Sequence, residues 1–163
     1  MMTIKVGDRL PEAKFWTMTA EGPVAKTTGD IFKGKVVALF AVPGAYTGVC
    51  STQHLPSITT NADAIKAKGI QSIALVSVND VFVMNAWKKD TDTKNQVEFL
   101  SDGNGEFTKA IGLDLDMSAR GLGIRSKRYS MLVSDGVVKE LNIEDTPATI
   151  DKSGGQTLLK QLG

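Results

Sequence analysis

The sequence predicts an α/β fold, a mixed central sheet with helices on both faces, and three observations predict it. Two β-branched apolar runs, KVVALFAV (35–42) and IQSIALVSV (70–78), have the composition of buried central strands. The segment between them, CSTQHLPSITTNADAIKAKG, carries Leu55, Ile58, Ala62 and Ile65 at helical spacing, which gives a strand, helix, strand unit. Near the end, RYSMLVSDGVVKELNIE (128–144) reads as two strands around Asp135 and Gly136, a dipeptide that supplies the positive φ angles of a tight hairpin turn. That part of the sheet is therefore antiparallel.

The remaining elements follow in chain order. The first long helix has Gly69 where a C-terminal glycine belongs. Pro56 removes a backbone donor inside it and crowds the preceding turn, so the helix should bend or restart there. NDVFVMNAWKKDTD (79–92) begins with Asn79 or Asp80 as N-cap and sets Val83 and Trp87 one turn apart on one face, a helix packed on the sheet. VEFLSD (97–102) is a short strand, GEFTKAIG a short helix, and GGQTLLKQLG a closing helix. No repeat, low-complexity tract or long charge block marks a boundary, so residues 1–163 read as one domain.

Composition narrows the function. The 163 residues, 42% apolar and 23% charged, suit a single core. Nineteen basic against eighteen acidic side chains leave a formal charge of +1, which gives no field to draw nucleic acid or an anionic membrane. No segment approaches the roughly 18 apolar residues of a membrane span, and MMTIKVGDRL does not read as a leader, so a soluble protein of the cytoplasm is expected. One cysteine forms no internal disulfide, and one Cys with one His makes a poor metal set; neither metal nor organic cofactor is expected.

That single thiol carries the chemistry. A free thiol of pKa about 8.5 is only a few per cent thiolate at neutral pH, and the thiolate is the nucleophile. Here the chain leaves a buried strand, turns through PGAYTGV, and enters a helix with Cys50 in or just before its first turn, where free N–H groups and the helix dipole favour an anion. A helix end contributes about 1 kcal/mol, too little alone. A cation is needed, and of four arginines Arg125 and Arg128 stand at the start of a predicted core strand, Arg125 being the fallback. Thr47, three positions before Cys50, offers a hydroxyl to orient the sulfur and an incoming oxygen, and Pro43 with Gly44 forms a donor-poor corner that limits water.

Pro43, Thr47 and Cys50, at spacings of three and two intervening residues, resemble the peroxiredoxin signature. The wider string PGAYTGVCSTQHLP, with SVND (77–80) and RYSMLVSDGVV (128–138), is similar to the type-five subfamily, from VGDRLP near the start to the hairpin near the end. The resemblance implies a thioredoxin-like fold and reduction of hydrogen peroxide or alkyl hydroperoxides without a cofactor. It implies that Cys50 is the peroxidatic cysteine, attacking the terminal peroxide oxygen and becoming a sulfenic acid as water or alcohol departs, with Thr47 and Arg128 bonding thiolate and peroxide and Pro43 shielding them. Gly48 and the N–H groups of Val49 and Cys50 would complete the substrate cradle, and Tyr46 with Phe82 would contact the second subunit of a homodimer. Gly48 and Tyr46 replace the proline and phenylalanine often found there in the subfamily. No second cysteine exists to resolve the sulfenic acid, which implies a one-cysteine cycle closed by an external thiol, glutathione with glutaredoxin ahead of thioredoxin.

Two other readings stay open on the residues. The chain is alternatively a peroxide-sensing thioredoxin-fold module that relays oxidation to a partner protein. His54, four residues past Cys50, either tunes the sulfur and supports the helix or forms the imidazole and thiolate pair of a cysteine hydrolase. RGLGIRS holds a G-x-G but lacks the strand-to-helix setting of a nucleotide loop. The six methionines and Trp87 read as core or interface.

Overall fold

The structure, a computed structural model, describes residues 3–91 and 96–162. Its strands and helices, in chain order, are β1 (Lys14–Thr19), β2 (Gly22–Thr27), α1 (Thr28–Phe32), β3 (Val36–Ala41), α2 (Leu55–Lys66), β4 (Ser72–Ser77), α3 (Val81–Thr91), β5 (Glu98–Ser101), α4 (Glu106–Ala110), β6 (Asp114–Asp116), β7 (Ile124–Ser126), β8 (Tyr129–Ser134), β9 (Val137–Ile143) and α5 (Gly155–Gln161). A single π-turn, Cys50–His54, leads into α2. The predicted end of α3 at Asp92 lies outside the described residues.

Seven strands form one mixed sheet in the order β2-β1-β5-β4-β3-β8-β9. β3, β4 and β5 run parallel at its centre, and β8 is antiparallel to β3. Because successive side chains on a strand point to opposite faces, β3 feeds two cores. Val37, Leu39 and Ala41 join Phe15, Phe32 and Phe107 on the face covered by α1 and α4. Ala38 and Phe40 join Ile58, Ile65, Trp87 and Leu158 on the face covered by α2, α3 and α5. This is the thioredoxin-like arrangement that the resemblance implied.

Local rules explain the elements. Asp135 and Gly136 turn with φ of 48° and 79°, the positive pair that joins β8 to β9. Asp80 caps α3, its Oδ1 accepting from the N–H groups of Phe82 and Val83 at 2.9 Å each. Pro56 occupies the first turn of α2, where a missing N–H costs nothing. The π-turn before it, closed by the Leu55 N–H on the Cys50 carbonyl, gives the proline ring room against the preceding turn. The α-helix thus starts at Leu55, directly before Pro56, the restart being one of the two outcomes the sequence predicted. Gly155 lets α5 lie against α2, since a Cβ there would collide with the Ser57 carbonyl oxygen. Among the described residues no helix is long and apolar enough to cross a membrane.

The sequence reading missed the β1–β2 hairpin, α1 and the small β6–β7 sheet. β2, GPVAKT, starts with Gly22 and Pro23 and buries none of its residues fully, so no alternating pattern marks it. It is an edge strand, and edges have only one neighbour to satisfy.

Candidate active site

β3 is central, and its C-terminal end delivers the chain to the site. Asn79, just past β4, holds the loop that follows: its Oδ1 accepts from the Ala45 N–H at 2.9 Å and from the Ser77 hydroxyl. Tyr46 then takes a left-handed φ of 64°, a conformation disfavoured for a bulky side chain, and reverses the chain toward Cys50. Gly44 sits in a tight place, since a Cβ would lie 3.1 Å from Thr47 Cγ2 and 3.3 Å from Arg125 Nη1 and press on both side chains. The Ser51 N–H bonds the Thr47 carbonyl at 2.9 Å, so the N–H groups of Gly48, Val49 and Cys50 belong to the first turn and precede the helical ladder.

Two side chains converge on the sulfur. Thr47 Oγ1 lies 2.8 Å from Cys50 Sγ and also 2.8 Å from the Gly44 carbonyl oxygen. One hydroxyl proton serves one of these acceptors at a time. Arg128 Nη2 donates to Sγ at 2.9 Å. Cys50 itself is fully buried.

Arg128, immediately before β8, is 2% exposed and fixed on every side. Its Nε and Nη2 donate to the Pro147 carbonyl oxygen at 3.1 and 3.0 Å, and its Nη1 donates to His54 Nδ1 at 2.9 Å. With Nδ1 accepting, the imidazole carries its proton on Nε2, which donates to the Ser153 carbonyl oxygen at 2.9 Å. Burial, and then the neighbouring guanidinium, push the His54 pKa down from 6.5 to about 3. Among the described residues no carboxylate forms an ion pair with Arg128. A buried cation without a carboxylate is costly unless another group answers it, and the sulfur is the group in contact.

A cleft of about 250 Å³ opens above this cluster. Pro43, Thr47, Val49, Arg128, Met117 and Pro147 are among the residues that line it, and the lining is mostly apolar. Thr47 and Arg128, which both contact the buried sulfur, thus also border the cleft.

Comparison with known proteins bears on this site and fold. The Redoxin family profile matches residues 5–159. The chain is 45% identical to mitochondrial peroxiredoxin-2F of Arabidopsis thaliana, over 96% of this chain and 78% of that protein. It is 44% identical to peroxiredoxin-2C of Oryza sativa subsp. japonica, over 99% and 100%.

This chain belongs to the peroxiredoxin family.

A crystal structure of reduced Prx3 from Vibrio vulnificus in complex with hydrogen peroxide is 44% identical and superposes with a TM-score of 0.94, covering 99% of this chain and 100% of that one. The peroxiredoxin is accordingly a thiol peroxidase, an oxidoreductase with antioxidant activity.

The structure brings Pro43, Thr47, Gly48, Val49, Cys50 and Arg128 together at the cleft and its floor. Arg125 stands apart from the sulfur: its Nε donates to the Leu122 carbonyl at 2.8 Å and its Nη1 to the Val78 carbonyl at 3.1 Å, so it braces the cleft from behind. His54 does not meet the sulfur as a base. Both ring nitrogens are engaged, by Arg128 and Ser153, which removes the hydrolase pairing. Met117 lines the cleft and is only partly buried, so it lies outside the core that the sequence offered as one of two places for it. Pro147 and Ser153 went unread because they act through backbone carbonyls, which no side chain announces. Tyr46 and Phe82, 48% and 65% exposed, both lie against solvent, Tyr46 tied to α3 by its hydroxyl on Asp90 at 2.6 Å. That bond, first among its causes, pushes the tyrosine pKa up to about 12.

Proposed function

We propose that the peroxidase runs a one-cysteine cycle on Cys50. The sulfur, as the anion facing Arg128, attacks one oxygen of a hydroperoxide in line with the O–O bond. The S–O bond forms as the O–O bond breaks, leaving a sulfenic acid, and the departing oxygen takes a proton to leave as water or alcohol. Arg128 and Thr47 stabilise charge as it moves from sulfur to the departing oxygen, from donors already in place. Pro43 shields the sulfur, and Gly48 with the N–H groups of Val49 and Cys50 bounds the peroxide. The observation that carries this reading is the buried Arg128 guanidinium, whose only contact able to bear negative charge, among the described residues, is Cys50 Sγ at 2.9 Å.

With one cysteine in the chain, the sulfenic acid condenses with an external thiol to a mixed disulfide and water, and a second thiol releases Cys50. Glutathione with glutaredoxin is the reductant we favour, thioredoxin the second choice, and a reducing cytoplasm the setting that suits an unpaired thiol. The exposed Tyr46 and Phe82 support a homodimer formed on the α3 side.

The test is peroxide consumption with glutathione and glutaredoxin against thioredoxin and its reductase. Catalytic turnover with the first pair, abolished in Cys50→Ser, is expected. A lasting mixed disulfide without turnover under both systems would refute the cycle in favour of a peroxide sensor.

A further inference from the structure

Glu144, directly after β9, is 6% exposed and has no place in the chemistry described so far. Its backbone N–H donates to the carbonyl of Arg128 at 2.9 Å, one rung beyond the β8–β9 ladder. Its carboxylate turns the other way, into the loop that follows. Oε2 accepts from the Lys152 N–H at 2.7 Å, the Ser153 N–H at 2.6 Å and the Ser153 hydroxyl at 2.6 Å. Oε1 accepts from the Thr149 hydroxyl at 3.1 Å. One buried side chain therefore ties off the segment from 145 to 153.

That segment supplies the two carbonyls on which the site depends. Pro147 receives Nε and Nη2 of Arg128, and Ser153 receives Nε2–H of His54, whose other nitrogen receives Nη1 of Arg128. A carbonyl in a loop points where the loop's own anchors point it. Here the anchors are the four bonds to one carboxylate, all directed inside the loop. The exposed pair of Lys152 Nζ with Asp145, at 3.0 Å, closes the same loop from outside, but such a surface pair holds little.

We infer that Glu144 is a positioning residue of the peroxidase site: it fixes the loop carbonyls of Pro147 and Ser153, and these aim the Arg128 guanidinium, directly and through His54, at Cys50 Sγ. The inference rests on the reading of Cys50 as the reacting thiol. Glutamine is the informative conservative replacement. Its amide oxygen can take the two shortest bonds of Oε2, those from Ser153, and its NH2 can donate to the Thr149 hydroxyl oxygen, so the loop keeps most of its anchors without the charge. Alanine removes all four acceptors and leaves buried donors unpaired.

The experiment measures the second-order rate with hydrogen peroxide and the pH profile of Cys50 alkylation by iodoacetamide. The proteins are wild type, Glu144→Ala, Glu144→Gln, Arg128→Ala and the Glu144→Ala/Arg128→Ala double variant. Displacing a positioned group by about an ångström costs up to about a hundredfold, so Glu144→Ala should lose between about tenfold and a hundredfold. Its alkylation profile should move to higher pH, as in Arg128→Ala, and Glu144→Gln should stay within about threefold of wild type. The double variant should be no slower than Arg128→Ala alone, because both act through one guanidinium. Losses that multiply in the double variant, or an unchanged rate and profile in Glu144→Ala, would overturn the inference. Should Glu144→Ala fail to fold, Thr149→Val/Ser153→Ala removes both hydroxyl donors and keeps the backbone; an unchanged rate and profile there overturns it equally. Cys50→Ser separates the two levels: turnover surviving that change discredits the thiol reading itself, whereas turnover lost there but indifferent to Glu144 discredits only the positioning role.

Discussion

Arg128 and Cys50, 78 residues apart in the chain, meet at 2.9 Å with both side chains buried. The sheet makes the meeting possible: β8 pairs with β3, so the residue before β8 arrives beside the loop that leaves β3. Geometry at the guanidinium is as demanding as its charge. Three of its nitrogens are committed in fixed directions, to Pro147, His54 and Cys50.

Arg128→Lys keeps the charge but has no planar fork, so it cannot serve three directions at once. The rate with peroxide should fall on the order of a hundredfold, close to Arg128→Ala, as losing a preorganised donor does. Stopped-flow measurement of both variants checks this; a lysine variant near wild type would mean that charge alone suffices.

Thr47 separates hydroxyl from shape. Thr47→Ser keeps the Oγ that lies 2.8 Å from the sulfur and should stay within about tenfold of wild type, while Thr47→Val keeps the volume and should lose about a hundredfold or more. The ratio of the two rates is the measurement.

His54 makes a pH prediction with a definite sign. Its pKa falls from 6.5 to about 3 on folding, so between those values the unfolded chain binds a proton that the folded one does not. Stability must therefore decline as pH falls through that window. From pH 6.5 to pH 5 the loss assigned to this residue is on the order of 2 kcal/mol. His54→Asn should be less stable at pH 7.5, having lost its bonds, yet show a shallower decline toward pH 5; urea unfolding at both values tests it.

Phe82, 65% exposed at the start of α3, should anchor the homodimer proposed above. Phe82→Asp should shift sedimentation toward monomer while leaving Thr47, Cys50 and Arg128 in place. A monomeric wild type would remove the assignment.

What the sequence disclosed follows from how each interaction is encoded. β3 and β4 were legible because strands buried on both faces must be apolar throughout. The cap at Asp80 and the turn at Asp135 and Gly136 were legible because only certain side chains suit those backbone positions. β2 was silent because an exposed edge imposes no pattern. In the site, Thr47 and Cys50 share one turn and can be seen together, and Arg128 could be named from the resemblance, charge alone leaving Arg125 beside it. Its fixing could not: Pro147 and Ser153 contribute oxygens that every residue owns, and Arg125, chemically equal to Arg128 in the sequence, is excluded only by where β7 places it.

The pairing of one enclosed cation with one sulfur has a sequel in each reaction cycle. Once oxygen has been transferred, the sulfur is neutral S–OH and the buried Arg128 no longer faces an opposite charge across that contact. On the one-cysteine reading, the oxidised site is therefore electrically unbalanced at the moment the external thiol must enter, and reduction restores the charge that balances it.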